Sequence, residues 1–126
     1  MRYLLDSNAL LWALFDHSCL SARAAKTIND SANTIFASAV SAYELEWKKA
    51  IGKLAMPAVG DWRQAFGVAG YHHLPISVDH GQSAARLPQH HKDPWDRLII
   101  AQAQVEALTI ISNDRKFPAY GVATLW

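Results

Sequence analysis

Short apolar runs alternate along this chain with longer stretches whose apolar positions recur at helical spacing. Residues 2–5 read as a first strand that stops at Asp6. Residues 8–14 are apolar and helical, and 21–30 form a second helix with Ser21 as its N-cap. Residues 34–37, β-branched and aromatic, are the next strand. The helical periodicity of 41–51 ends at Gly52, and a short helix over 61–69 ends before Gly70. A strand lies within 71–76, and Ser77 caps a helix that reaches Leu87. Residues 93–107 make the clearest helix, with an Asp N-cap, Pro94 at the first helical position and a continuous apolar face. Residues 108–111 form a strand, and 112–114 the turn leaving it. Strands alternating with helices predict an α/β fold, a parallel sheet in three layers. No linker, repeat or low-complexity tract interrupts the 126 residues, so a single domain spanning 1–126 is expected.

Acidic residues stand at the junctions of this pattern. Asp6 and Asp114 follow apolar runs that read as buried strands, whereas Glu44 and the Asp93/Asp96 pair sit at the openings of apolar helices. A carboxylate at such a junction is costly to desolvate and needs a cation or a hydrogen-bond donor. Acids from four segments converge only if those segment ends meet at one edge of a sheet, where open α/β sheets place their sites. Each acid also has a simpler reading. Glu44, three residues after Ser41, fits a capping box; Asp93 fits an N-cap; Asp6 and Asp114 fit Asx turns. Asp96 is different, lying one turn inside its helix with Asp93 on nearly the same face. Two carboxylates ~5 Å apart repel by roughly 3 kcal/mol at an effective dielectric of ~20. A helix N-terminus returns only ~0.3–1 kcal/mol, so a divalent cation is the natural counterweight. All-carboxylate ligation selects Mg²⁺ or Mn²⁺ over zinc, with Ser7 and Asn8 placed to orient Asp6 or a bound water. His91, beside the acidic pair, is a candidate to touch substrate.

Composition narrows the class. A hydrophobic content of 51% with 18% charged residues describes an ordinary globular domain. Apolar runs such as Leu98-Ile99-Ile100-Ala101 are far too short to span a bilayer, so no membrane association is expected. Only three apolar residues separate Arg2 from Asp6, which is no secretory leader, and the one cysteine, Cys19, permits no internal disulfide. A cytoplasmic protein is the expectation. The net charge of +1 hides a division: if five of the 11 acidic residues form one metal-bound cluster, 6 face 12 basic residues elsewhere. Lys48, Lys49, Lys92, Arg97, Arg115 and Lys116 all lie close to the acids in sequence. An acidic centre with a basic rim suits a polyanion held by its phosphates, although the same residues also read as solvated helix ends.

Together the motifs resemble the PIN-domain nucleases, and closely the VapC-type toxins of bacterial toxin–antitoxin pairs. The resemblance is carried by Tyr3-Leu4-Leu5-Asp6-Ser7-Asn8, by Ser41-Ala42-Tyr43-Glu44-Leu45-Glu46-Trp47-Lys48 and by Ser112-Asn113-Asp114-Arg115. Its most specific stretch is His90-His91-Lys92-Asp93-Pro94-Trp95-Asp96-Arg97-Leu98-Ile99-Ile100-Ala101. Asp6, Glu44, Asp96 and Asp114 match the family's four acidic positions, and Asp93 is an additional acid. Ser7, Tyr43 and Trp95 replace a frequent threonine, tryptophan and phenylalanine, and no carboxylate is lost. The resemblance implies a PIN-like three-layer α/β/α fold, dependence on Mg²⁺ or Mn²⁺, and endonucleolytic cleavage of RNA. It also implies a homodimer and inhibition by a cognate antitoxin. Asp6, Asp96 and Asp114, with Glu44 and Asp93, would then hold metal, while Lys48, Arg97, Arg115 and His91 would grip substrate. The alternatives are a non-toxin PIN nuclease and a non-catalytic scaffold that binds RNA or a partner. A haloacid-dehalogenase-type phosphotransferase is disfavoured, since it needs a second aspartate where Asn8 stands.

Overall fold

The computed structural model describes all residues from Met1 to Trp126. Five strands, β1 (Arg2–Leu5), β2 (Thr34–Ser38), β3 (His72–Leu74), β4 (Thr109–Ile111) and β5 (Thr124–Leu125), form one parallel sheet in the order β3-β2-β1-β4-β5. Six helices connect them: α1 (Ser7–Phe15), α2 (Ala22–Asn29), α3 (Ala39–Ala50), α4 (Trp62–Ala69), α5 (Val78–Arg86) and α6 (Pro94–Glu106). The period-2 geometry of the strands divides the core into two layers. Tyr3, Leu5, Ile35, Ala37 and Ile111 face α1, α2 and α4, whereas Leu4 and Ile110 face α5 and α6. The three-layer α/β/α arrangement expected from the sequence is the one observed.

The strand order reverses between β1 and β4, which are hydrogen-bonded neighbours reached from opposite ends of the chain. That is the topological switch point of an open α/β sheet, and the crevice beyond its carboxyl ends is the expected ligand position. α5 and α6 pack antiparallel, with His80 against Glu106 at one end and Arg97 against Ala84 and Leu87 at the other. Their connecting turn therefore lies beside Asp96. A buried polar link joins this layer to the sheet: Ser38 donates to the Gln102 side chain at 2.6 Å, and Gln102 donates to the Pro75 carbonyl at 3.2 Å.

Two differences from the sequence reading matter. The helix expected to begin at Ser41 begins at Ala39, capped by the Ser38 hydroxyl on the Val40 N–H at 2.9 Å. Ser41 is thus inside the helix, and the Ser41–Glu44 capping box does not form. The other is β5, preceded by a 3₁₀ turn at Phe117–Tyr120, which the sequence reading omits.

Candidate active site

Each acid reaches the crevice by a different local device. Asp6, the residue after β1, is the N-cap of α1, its Oδ1 accepting the Ala9 N–H at 2.7 Å. Glu44 projects from the second turn of α3, where the Ser7 hydroxyl donates to its Oε1 at 2.7 Å and Lys48 pairs with its Oε2. Asp93 caps α6 through Oδ1, which accepts from the Trp95 and Asp96 N–H groups at 2.9 and 3.2 Å. Asp96 follows in the first turn of α6. Asp114 lies in the loop after β4, its Oδ1 accepting the Lys116 N–H at 2.9 Å.

These five carboxylates, with Ser7, Asn8 and Lys48, line a single cleft of about 180 Å³ that contains no hydrophobic residue. Asp6 and Glu44 are each only 5% exposed. Burial raises the Asp6 pKa to about 6, Ser112 and the Ala9 N–H pull it down, and Asp114 and Glu44 add a further push upward. Burial also raises Asp96, to about 7, with Asp93 adding to the rise and His91 opposing it. Desolvation pulls Lys48 down, but its hydrogen bond and charge pairing with Glu44, aided by Asp93 and Asp96, leave it raised. The cleft therefore gathers more negative charge than its own residues neutralise.

His91 enters the cluster itself. Its Nε2 lies 2.7 Å from Asp96 Oδ2 and 3.8 Å from Asp114 Oδ2, yet no hydrogen bond aligns, leaving a buried nitrogen without a partner. The ligating atoms of His91, Asp96 and Asp114 lie within 4.8 Å of one another, a group able to hold a divalent ion. An under-partnered nitrogen facing hard oxygen donors fits a cation or a polar substrate atom placed among them. The sequence reading put His91 only at the substrate; its nearness to Asp96 depends on the turn between α5 and α6. Ser41 and Ser112 were also missed. The Ser41 hydroxyl lies 2.9 Å from Ser7 Oγ, to which it donates while Ser7 donates to Glu44, and Ser112 lies against Asp6.

The structure redistributes the expected basic rim. Arg97 does not face the cleft: Nη1 donates to the Pro88 and His91 carbonyls and Nη2 to those of Ala84 and Leu87, at 2.8–3.2 Å. Its fork holds the turn before α6 and leaves no terminal N–H for phosphate. Lys49 is tied to the Met56 carbonyl. Lys92, Arg115 and Lys116 are exposed. Ser7 orients Glu44, not Asp6, and Asn8 lies exposed at the cleft.

Residues 3–123 match the PIN domain family. The chain belongs to that family. No curated protein sequence matches it. This PIN domain is similar in fold to the VapBC2 complex of Rickettsia felis bound to a promoter DNA fragment, with 17% identity, a TM-score of 0.68 and coverage of 100% of this chain and 99% of that one. It is similar also to DNA-bound VapBC from Salmonella typhimurium, with 13% identity, a TM-score of 0.68 and coverage of 99% and 97%. FitAcB from Neisseria gonorrhoeae is a third, with 18% identity, a TM-score of 0.63 and coverage of 98% and 96%. The PIN fold and the His/Asp cluster at its switch point support a metal-dependent hydrolase.

Proposed function

We propose that this single-domain protein is a cytoplasmic, Mg²⁺- or Mn²⁺-dependent endoribonuclease and the toxin of a toxin–antitoxin pair. The observation that carries the proposal is the convergence of five carboxylates on one small cleft, with Asp6 and Asp96 pushed to about 6 and 7. Protons compete for sites that a divalent cation fills better at neutral pH. Asp6, Asp96 and Asp114 would hold the ion, with Glu44 completing the site directly or through water. Asp93 has one oxygen engaged in capping and also lines the cleft, so it serves as cap and as a further source of charge. When bound, the ion acidifies the water that attacks phosphorus and neutralises charge on the phosphoryl oxygens.

The chain's own residues supply the rest. Ser7 and Lys48 fix both oxygens of Glu44, so its carboxylate is held in one orientation. The Asp93 N–H, 3.4 Å from His91 Nδ1, favours the ring tautomer with its proton on Nε2. With its proton on Nε2 the ring leaves ligation of the ion to the carboxylates and faces the site as a donor, suited to a phosphoryl oxygen. Lys48, Arg115 and Lys92 bracket flanking phosphates. Attack of water on phosphorus breaks the bond to the 3′-oxygen, which takes up a proton. RNA is most accessible where its bases are unpaired, so a single-stranded loop is the expected target.

An antitoxin partner is supported by the fold likeness to VapBC and FitAB assemblies. A groove of about 640 Å³, sharing no residue with the acid cleft, has Leu14, Phe15, Val59, Ala65 and Val68 in its lining and offers an apolar wall to the apolar face of an amphipathic partner segment. A homodimer belongs to the same proposal. Overexpression should arrest bacterial growth, the Asp6→Asn variant should be harmless, and both should capture the same small partner encoded nearby. Growth arrest undiminished in Asp6→Asn would remove nuclease chemistry as the source of toxicity.

A further inference from the structure

We infer that Tyr43 and Trp47, braced by Trp95, form a platform on which unpaired bases of single-stranded RNA stack beside the acid cleft. The inference rests on the endoribonuclease reading and adds the part of the substrate that is gripped. Two neighbouring stripes of α3 have opposite characters. Glu44 and Lys48, one turn apart, face the cleft. Tyr43, Trp47 and Ile51, at the same i, i+4, i+8 spacing, stay 59%, 44% and 45% exposed. Trp95 stands against both aromatic residues, with ring centroids 4.9 Å from Tyr43 and 6.2 Å from Trp47, each pair tilted by 46°. Tyr43 directly precedes Glu44, and Trp95 directly precedes Asp96, so the rings flank two carboxylates of the site. Beyond Trp47 an open groove of about 570 Å³ runs toward Trp62, with Ala42 and Ala50 also in its lining.

The chemistry of this strip selects its occupant. Its contact surface is aromatic faces, and the one acidic side chain in the groove, Glu46, already accepts from Trp62 Nε1 at 3.3 Å. It therefore offers mainly π-faces, with few polar groups at its edges, a combination that holds any unpaired base and discriminates little among them. Bases in a duplex are already stacked and present no free face. Continuity with the cleft favours a ligand that is apolar and anionic in alternation. Lys48, on the cleft-facing stripe directly beside Trp47 in sequence, is placed to meet the phosphate that follows a stacked base. Stacking here would hold the strand so that its backbone enters the carboxylate cleft.

The test is a binding titration in Ca²⁺ that follows tryptophan fluorescence. It compares a single-stranded RNA oligonucleotide with an abasic oligonucleotide of equal length and charge. The base-bearing strand should quench fluorescence and bind tighter by about 5-fold or more for each stacked base. Trp47→Leu and Tyr43→Leu keep apolar bulk but remove the ring, and should collapse that preference, while Trp47→Phe should largely retain it. Thermal melts and sedimentation on the same samples check folding and self-association. Equal affinity for the two strands would overturn the platform while leaving the nuclease reading intact. So would a Trp47→Leu variant that keeps the base preference but loses self-association or antitoxin binding, which would make the strip a protein interface. Failure of the folded wild type to bind either strand would overturn both readings.

Discussion

Asp6 and Asp96 are where local geometry and charge pull in different directions. Asp6 is held by its cap to the Ala9 N–H, and Asn caps as well as Asp, so Asp6→Asn should keep α1 intact while Asp6→Ala should lose about 1 kcal/mol more. Asp96→Asn removes a carboxylate whose pKa is raised to about 7, chiefly by burial. Metal-free stability of Asp96→Asn should equal or exceed that of wild type, while cleavage should fall to background; paired thermal melts and RNA digests check both. The pH dependence carries the same signature. Both groups bind protons more tightly folded than unfolded, where the value is near 3.8. Their stabilising contribution is complete below about 4 and is lost as pH rises through 6 and 7. Metal-free protein should therefore melt at higher temperature at pH 5 than at pH 8, and Mg²⁺ should close that gap at pH 8. A melting temperature that falls steadily from pH 8 to pH 5 would contradict it. Asp16, whose pKa is lowered first by its hydrogen bond with Ser18, does not enter this window, since its contribution is lost only below 3.8. The positions of these acids were legible because a charge following a buried strand or opening an apolar helix stands out in one dimension. His91 and Arg97 were not, because both depend on how one turn packs against two helices.

That turn, between α5 and α6, is the least regular element bearing on the site. Arg97 fixes it by four hydrogen bonds to carbonyls from Ala84 to His91, and so sets where His91 and Asp93 stand. Lysine offers one compact ammonium in place of a planar fork. Arg97→Lys should destabilise the protein by about 2–3 kcal/mol and weaken Mg²⁺ binding, read by chemical denaturation and by calorimetric titration. Unchanged stability and unchanged metal affinity would return Arg97 to the phosphate-binding role its sequence position implied. The other elements were easier to foresee. Ser21, Ser77 and Asp93 all cap the helices assigned to them, Asp61 proves to be the cap of α4 and not its first residue, and Gly70 ends α4 at φ 82, where a left-handed residue is needed. The start of α3 was misplaced because Ser38 and Ser41 are equally good caps in sequence, and only the end of β2 decides between them. β5 escaped notice because Thr124–Leu125 is too short to show any period.

For the molecule as a whole, function follows from the switch point between β1 and β4. Strand alternation predicted a parallel sheet, but the order β3-β2-β1-β4-β5 turns on one pairing between residues more than 100 positions apart, β1 with β4, as Tyr3 with Thr109. That pairing brings Asp6 and Asp114 to one edge, and α3 and α6 deliver Glu44 and Asp96 to the same place. Under the proposed function, this convergence holds a divalent ion against RNA. The direct measurement is the cleavage rate of single-stranded RNA across a Mn²⁺ or Mg²⁺ titration, run in parallel for wild type and Asp96→Asn. Cleavage should be absent in chelator, rise with metal for wild type and stay at background for the variant. Cleavage that persists undiminished after chelation and dialysis, or in Asp96→Asn, would contradict the account.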